Sequence, residues 1–239
     1  MKYGFQPDVF KPDDYVFGAS PVPYEEINPS GDWSDYLPTR ERQNLHNIET
    51  YACVTFTTLN AIEILIRKQY GLERNYSDRF LAMVSGTKEG GNTPNTVAEF
   101  LRKVGVVGEE VWPFSPDINT FENFYGPIPP KLYELAKEFN DEWDFKHENV
   151  PSDNEAIAKA LKCSPLGLSV AAWSQRDGMY FQPQGVPDNH FTTLITVRPN
   201  GYKRVFDSYA DGEGDPFIKD YEWNTTHSAI KRFWIKKKR

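Results

Sequence analysis

The chain has 239 residues, and its 39% hydrophobic and 15% aromatic content is enough for a packed core and excludes wholesale disorder. A formal net charge of −7 argues against nucleic acid or an anionic membrane as the main partner. The two cysteines, Cys53 and Cys163, cannot build a disulfide framework and favour a reducing compartment. Because no signal peptide and no run of about 20 apolar residues is present, we expect a soluble, cytoplasmic protein.

The first 40 residues are rich in proline, aspartate and tyrosine and show no helical period. This composition predicts an extended arm that lies on the surface, and we favour a structural arm over a regulatory pro-segment. The side chains expected to anchor it are aromatic: Phe10, Tyr15, Phe17 and Trp33.

Residues 50–71 are predicted to form one long, buried helix, with Thr50 as its N-cap and Gly71 as its left-handed end. Its apolar residues recur at roughly helical spacing. Cys53 lies in the first turn, where unpaired N–H groups and the helix dipole favour the nucleophilic thiolate. A lone cysteine in an apolar helix is more often a core residue, so the catalytic interpretation needs partners elsewhere.

Shorter helices are predicted next, the first of them capped by Ser77. The pattern then changes to apolar and alternating strands. Because helices come early in the chain and strands come late, the sequence predicts a segregated α+β protein with two lobes. The lobes are expected at about 41–125 and 126–239, within a single domain 1–239. The predicted helices are 77–83, 95–104, 131–140 and 153–162, and the predicted strands are 166–173, 190–197, 202–207 and 229–235.

The choice of a catalytic base is narrow because only four histidines occur. His190 stands at the entrance of a predicted strand, where its ring is held rigidly and still reaches a cleft. Asp207 ends the next strand, 17 residues further on (207 − 190). Two adjacent strands would bring Asp207 beside His190, where a carboxylate orients the ring and stabilises the imidazolium. With Cys53 these residues form a candidate Cys-His-Asp triad, although each has an ordinary structural interpretation when taken alone.

With these residues in place, the chain resembles the papain family of cysteine peptidases from about residue 32 to residue 235. The separation of Cys53 and His190, 137 residues (190 − 53), falls within the ~130–150 typical of such enzymes. The matching motifs, in chain order, are Asp32-Trp33, Leu37-Pro38 through Gln43, Ala52-Cys53 with Phe56, Tyr76-Ser77, Gly90-Gly91, Asn189-His190 and Phe206-Asp207-Ser208-Tyr209.

The resemblance implies an α+β, papain-like, two-lobed fold: a helical N-terminal lobe, an antiparallel β-rich C-terminal lobe and an active-site cleft between them. It implies a cysteine endopeptidase that acts through a thioester acyl-enzyme, with Cys53 as the nucleophile and His190 as the general acid and base. Asp207 replaces the family's asparagine. The oxyanion-binding amide would be Gln43, with Asn47, at the family's spacing of six residues, as the alternative.

The resemblance further implies that Gly90 and Gly91 line the cleft and pair with the substrate backbone, and that Asn189 lies beside the specificity pocket. The expected partner is a peptide or protein substrate, and no metal or organic cofactor is implied. Tyr209 would replace the tryptophan that shields the histidine from water.

The chain departs from the family around Cys53, where Cys-Gly-Ser-Cys-Trp is reduced to Ala52-Cys53, and the disulfides are missing. These losses would suit a bacterial or viral protein. They also leave two other functions open. One is a catalytically inactive papain-like domain that serves as a binding or structural module, and the other is a Cys-His cell-wall amidase or endopeptidase.

Overall fold

The computed structural model describes residues 3–9, 11, 14–45, 48–211, 215–222 and 226–239. No helix in these ranges combines the length and the apolar character that a membrane crossing requires. The helices are α1 (Cys53–Tyr70), α2 (Asp78–Val84), α3 (Pro94–Val104), α4 (Phe121–Phe124), α5 (Pro130–Glu142) and α6 (Asn154–Cys163), with a 3-10 turn at Ser34–Tyr36. The strands are β1 (Trp143–Asn149), β2 (Leu166–Val170), β3 (Ser174–Arg176), β4 (Met179–Phe181), β5 (His190–Val197), β6 (Lys203–Phe206), β7 (Ile218–Tyr221) and β8 (Ile230–Lys237).

The strands form one sheet in the order β1-β8-β2-β5-β6-β7-β4-β3. Every pairing is antiparallel except the contact between β4 and β7. Most helices precede the sheet in the chain, so the predicted α+β class is confirmed. The arrangement puts β5 and β6 side by side near the centre of the sheet, which is where the two strands carrying the candidate histidine and aspartate must meet.

The long central helix α1 is buried along most of its length, from Cys53 to Ile66. It ends at Gly71 in the left-handed conformation (φ 65°), as predicted. Its N-terminus differs from the prediction because Ala52 precedes the helix, and the Thr50 hydroxyl donates instead to the carbonyl of Gln43 (2.8 Å). Thr50 therefore ties the helix entrance to the preceding loop rather than capping the helix.

Local sequence signals located most of the other elements. Ser77 caps α2 by accepting from the N–H of Phe80, and Asp153 caps α6 in the same way. The strand predicted over 190–197 has those bounds in the structure, whereas the one predicted over 166–173 already ends at Val170.

Strand β1 is the main element that the sequence did not reveal. Charged residues alternate through Trp143–Asn149 and hide the strand pattern. Its aromatic residues Trp143 and Phe145 are buried, and the strand pairs with β8 over its whole length. Pairing with β8 therefore outweighs the polar character of the segment.

The N-terminal arm is only partly a surface element. Tyr15 is half exposed, but Trp33 is completely buried, and its indole N–H donates to the carbonyl of Leu161 (2.8 Å). Phe10, another of the four predicted anchors, lies outside the described residues. Gly4 and Phe5 are buried, and the N–H of Tyr3 donates to the carbonyl of Asn189 just before β5, so the surface location predicted for this stretch is wrong.

Candidate active site

The sheet brings His190 and Asp207 together. His190 is the first residue of β5, β6 pairs with β5 in the antiparallel sense, and Asp207 follows the last residue of β6. Nε2 of His190 lies 2.6 Å from Oδ1 of Asp207, and both side chains are completely inaccessible to solvent. The strand pairing thus holds the imidazole against the carboxylate, as expected from the sequence.

The other carboxylate oxygen of Asp207 is also fully engaged. Its Oδ2 accepts from Nζ of Lys219 at 2.9 Å and from Nε1 of Trp173 at 3.0 Å. Burial alone would raise the pKa of Asp207, but His190 and Lys219 outweigh it and hold that pKa far below its usual value. Neither Lys219 nor Trp173 was singled out in the sequence, because only the folded sheet brings them to Asp207.

Cys53 lies in the first turn of α1, next to β5. One turn into the helix, Thr57 donates to the carbonyl of Phe191, the neighbour of His190 (2.9 Å), and the Phe191 N–H lowers the pKa of the Cys53 thiol. The start of α1 therefore packs against the start of β5, where His190 precedes Phe191. In the described part of the chain, Nδ1 of His190 has no hydrogen-bond partner.

The protonation of Cys53 differs from the expectation of a stabilised thiolate. Burial raises the pKa of the Cys53 thiol well above its ordinary value, and the negative charges of Glu49 and Asp207 act in the same direction. The N–H of Phe191 acts in the opposite direction, and its effect is smaller than that of burial but larger than that of either carboxylate. The thiol is therefore neutral while the site remains closed to water.

Gln43 lies at the same end of the sheet and is completely buried. Its Oε1 accepts from the hydroxyl of Ser208 (2.7 Å), which fixes the amide orientation. Its Nε2 donates to Oε1 of Glu49 (2.8 Å) and to the hydroxyl of Tyr209 (2.9 Å), and Tyr209 donates in turn to Glu49. The alternative oxyanion residue, Asn47, lies outside the described residues.

Aromatic rings enclose the imidazole of His190. The ring of Tyr209 lies 5.3 Å from it, and the rings of Trp173 and Tyr3 each lie 5.6 Å from it, all edge-on. Such a wall excludes water and strengthens the hydrogen bond between His190 and Asp207. Tyr209 thus lies where the sequence placed it, and two further rings join it.

No protein-family model matches the chain, and no curated protein sequence matches it. Solved structures do. One of them is xylellain, a cysteine protease from Xylella fastidiosa, with a TM-score of 0.73 and 17% identity. The match covers 100% of this chain and 97% of the xylellain chain. The bromelain protease from Ananas comosus matches over 84% and 96% (TM-score 0.62, 18% identity), and digestive procathepsin L 3 of Tenebrio molitor over 88% and 72% (TM-score 0.64, 14% identity). The chain has a papain-like fold.

In this papain-like fold the chain's own N-terminal segment lies against the predicted site residues. The N–H of Asn92 donates to the carbonyl of Gly4 (2.9 Å), and the N–H of Gln6 donates to the carbonyl of Asn92 (3.0 Å). Phe5, between them, stacks on Phe191 with ring centroids 5.7 Å apart. Residues 3–6, named here the cleft strand, therefore pair with the turn that follows Gly90 and Gly91.

The cleft strand also engages the remaining predicted site residues. The N–H of Tyr3 donates to the carbonyl of Asn189 (3.3 Å), beside His190. The Gln6 side chain donates to the carbonyls of Gly90 (3.1 Å) and Gly91 (3.2 Å). The cleft strand thus contacts five residues of the predicted site: Gln43, Gly90, Gly91, Asn189 and His190.

The passage for the cleft strand is too narrow for a side chain at Gly4. A Cβ there would lie 2.1 Å from the carbonyl oxygen of Tyr51, and the residue has a φ of +105°, which favours glycine. Across the strand, a Cβ on Gly91 would lie 1.7 Å from the carbonyl oxygen of Gly4. Two glycines therefore let the strand pass through the cleft, and Gly4 is the residue whose replacement should dislodge it.

Proposed function

We propose that the chain is a cysteine endopeptidase with a Cys53-His190-Asp207 triad, kept latent by the cleft strand. The observation that carries the proposal is the placement of His190. One ring nitrogen is bonded to Asp207, the other has no partner in the described chain, and the next residue, Phe191, bonds to Thr57 on the helix that begins at Cys53. A base oriented on one side and free on the other is what a thiol nucleophile requires.

In the proposed reaction, His190 takes the proton of the Cys53 thiol and the thiolate attacks a peptide carbonyl. The tetrahedral intermediate collapses to a thioester as His190 protonates the leaving amine. Water, deprotonated by His190, then hydrolyses the thioester and regenerates the thiol. Asp207 keeps the ring oriented and stabilises the imidazolium throughout.

Two N–H donors are proposed for the oxyanion: the side-chain amide of Gln43 and the backbone N–H of Cys53. In the closed site the Gln43 amide donates to Glu49 and Tyr209 instead. Glu49 also raises the pKa of the thiol. An open site therefore requires Glu49 to give up its bond to Gln43, so this carboxylate contributes to latency.

The cleft strand indicates how a substrate would lie. It is an extended segment whose backbone bonds to Asn92 and to the carbonyl of Asn189. An extended peptide could use the same groups, as β-strand addition does in other peptide-binding proteins. The proposed substrate class is therefore an extended, accessible segment of a peptide or protein, which competes with the cleft strand for one site.

Valine in place of Gly4 tests the proposal in the full-length chain. The variant should expel the cleft strand, so alkylation of Cys53 at neutral pH and hydrolysis of an unfolded protein such as casein should both rise at least tenfold. Gly18→Val is the matched control, because Gly18 also has a positive φ (+85°) but has nothing within 4 Å of its Cβ position. His190→Ala in the Gly4→Val chain should abolish the hydrolysis.

The proposed peptidase activity would be contradicted if Cys53 of the Gly4→Val chain alkylates faster but the chain cleaves no peptide at any pH. That result would favour a papain-like binding module whose closed cleft accepts a peptide without cutting it. The buried, neutral thiol of Cys53 is the observation that supports this second function.

A further inference from the structure

A lysine is buried behind the candidate triad. Lys219, on β7, is 1% exposed, and its ammonium group has three acceptors. They are Oδ2 of Asp207 (2.9 Å), Oδ1 of Asp211 (2.7 Å) and the carbonyl of Tyr209 (2.7 Å). An ammonium group has three N–H donors, so each one is used.

The position of this lysine matches a departure of the chain from the family that it resembles. Asp207 stands where that family has a neutral asparagine, so the site contains one additional buried negative charge. A buried carboxylate is stabilised only when it is paired and hydrogen-bonded. The negative charge of Asp207 also raises the pKa of Cys53, which works against thiolate formation.

We infer that Lys219 is a positioning residue of the proposed peptidase: it turns the Asp207 carboxylate toward His190 and offsets its charge at the thiol. The inference rests on the proposed function for its catalytic meaning. By occupying Oδ2 together with Trp173, Lys219 leaves Oδ1 to the imidazole. Asp207 and Lys219 together then have the net charge of an asparagine.

Other ionisable groups face the triad, and they are the same in the parent chain and in variants of Lys219 or Asp207. Tyr3, from the N-terminal arm, and Tyr209 contact the His190 ring, and Glu49 lies in the loop before α1. Tyr180, on β4, lies under the Lys219 ammonium at 5.9 Å from its ring centre. A change in the titration of His190 that follows substitution of Lys219 or Asp207 alone is thus assigned to the altered charge.

The titration of His190, followed by NMR in the full-length chain, tests the inference without requiring activity. The signal is assigned as the one lost in His190→Ala. Lys219→Met should raise the pKa of His190 by roughly one unit, because the carboxylate is no longer offset. Asp207→Asn should lower it by a similar amount, and the double variant should return it close to the parent value.

Lys203→Met is the matched control, since Lys203 is an equally buried lysine on the neighbouring strand β6, bonded to His227 (2.6 Å). It should leave the His190 titration unchanged. If Lys219→Met fails to fold, Asp207→Asn and the double variant still differ by the charge of Lys219 alone. The double variant should then show the higher His190 pKa, by about one unit.

An unmoved His190 titration in Lys219→Met, or one that moves equally in Lys203→Met, would overturn the inference and leave Lys219 as a structural lysine. In the Gly4→Val chain, the pH profile of kcat/KM should shift upward with Lys219→Met while KM stays within twofold. Absence of any hydrolysis would instead refute the proposed peptidase function without changing the NMR result. Failure of the proposed function and failure of the inference about Lys219 are therefore distinguishable.

Discussion

Two sites in this protein hold buried or half-buried carboxyl groups with opposite charges around them. In the first, Asp207 is paired with His190 and Lys219, and its pKa is far below the usual value although it is completely buried. The second contains only carboxylates, and in the described part of the chain no ion pair joins any of them to a lysine or arginine. Its members are Glu41, Glu63, Asp78 and Glu109.

In this acidic cluster burial dominates. It raises the pKa of Glu63 and Asp78 well above their usual values and that of Glu109 to about 7, and the neighbouring carboxylates add to the effect. Burial likewise raises the pKa of Glu41, and the charge of Glu41 adds to the rise at Asp78. Burial thus raises the pKa of the carboxyl groups in this cluster, whereas at Asp207 the facing His190 and Lys219 reverse that effect.

The largest expected effect comes from removing the paired carboxylate. Asp207→Ala in the Gly4→Val chain should lower kcat/KM about 100-fold or more, because His190 loses its orienting partner. Asp220→Ala is the control, since Asp220 neighbours Lys219 on β7 and pairs with Arg204 (2.8 Å), away from the triad. A loss below about tenfold for Asp207→Ala would show that the pairing is structural rather than catalytic.

The acidic cluster should respond to pH in the opposite direction to Asp207. A carboxylate with a raised folded pKa stabilises the fold below its unfolded pKa, and this contribution is lost as pH rises through the folded value, near 7 for Glu109. Asp207, with a lowered pKa, keeps its contribution at neutral pH and loses it only in strong acid.

Glu109→Gln isolates this effect. We compare the free energy of unfolding of the variant with that of the parent by urea denaturation. The difference, variant minus parent, should be about 2 kcal/mol larger at pH 8 than at pH 5. Glu110→Gln, at the exposed neighbouring position, should keep the parent's pH dependence. A parallel pH dependence for Glu109→Gln and the parent would mean that Glu109 is already ionised in the fold.

The smallest effect should come from the third donor to Asp207. Trp173→Phe keeps an aromatic ring against His190 but removes the N–H that bonds Oδ2 at 3.0 Å. Because Lys219 still holds that oxygen, we expect kcat/KM of the Gly4→Val chain to fall only about fivefold. A loss as large as that of Asp207→Ala would mean that Lys219 cannot hold the carboxylate alone.

Local signals explain why much of the fold was accessible from the sequence. The apolar period of α1, the cap at Ser77 and the alternation of β5 are properties of neighbouring residues, and each located its element closely. The pairing of His190 with Asp207 followed from two consecutive strands. Such pairs need only a short connection, so their register is constrained by the chain itself.

The parts that were missed depend on distant contacts. A lysine on a strand normally points to solvent, and Lys219 is buried only because Asp207 and Asp211 approach it from elsewhere in the fold. The entry of residues 3–6 into the cleft depends on clearance beside Tyr51 and Gly91, which no local pattern reveals. The hydroxyl of Thr50 likewise found a tertiary partner in place of its predicted capping role.

The hairpin of β5 and β6 has a consequence for how this protein can be altered. His190 lies at one end of β5, and the turn at Asn200 and Gly201 lies beyond the other, about 23 Å away for seven residues of strand. Added chain length in a surface turn costs little free energy. A fluorophore, an affinity tag or an inserted peptide placed at that turn would therefore leave the pairing of His190 and Asp207 undisturbed.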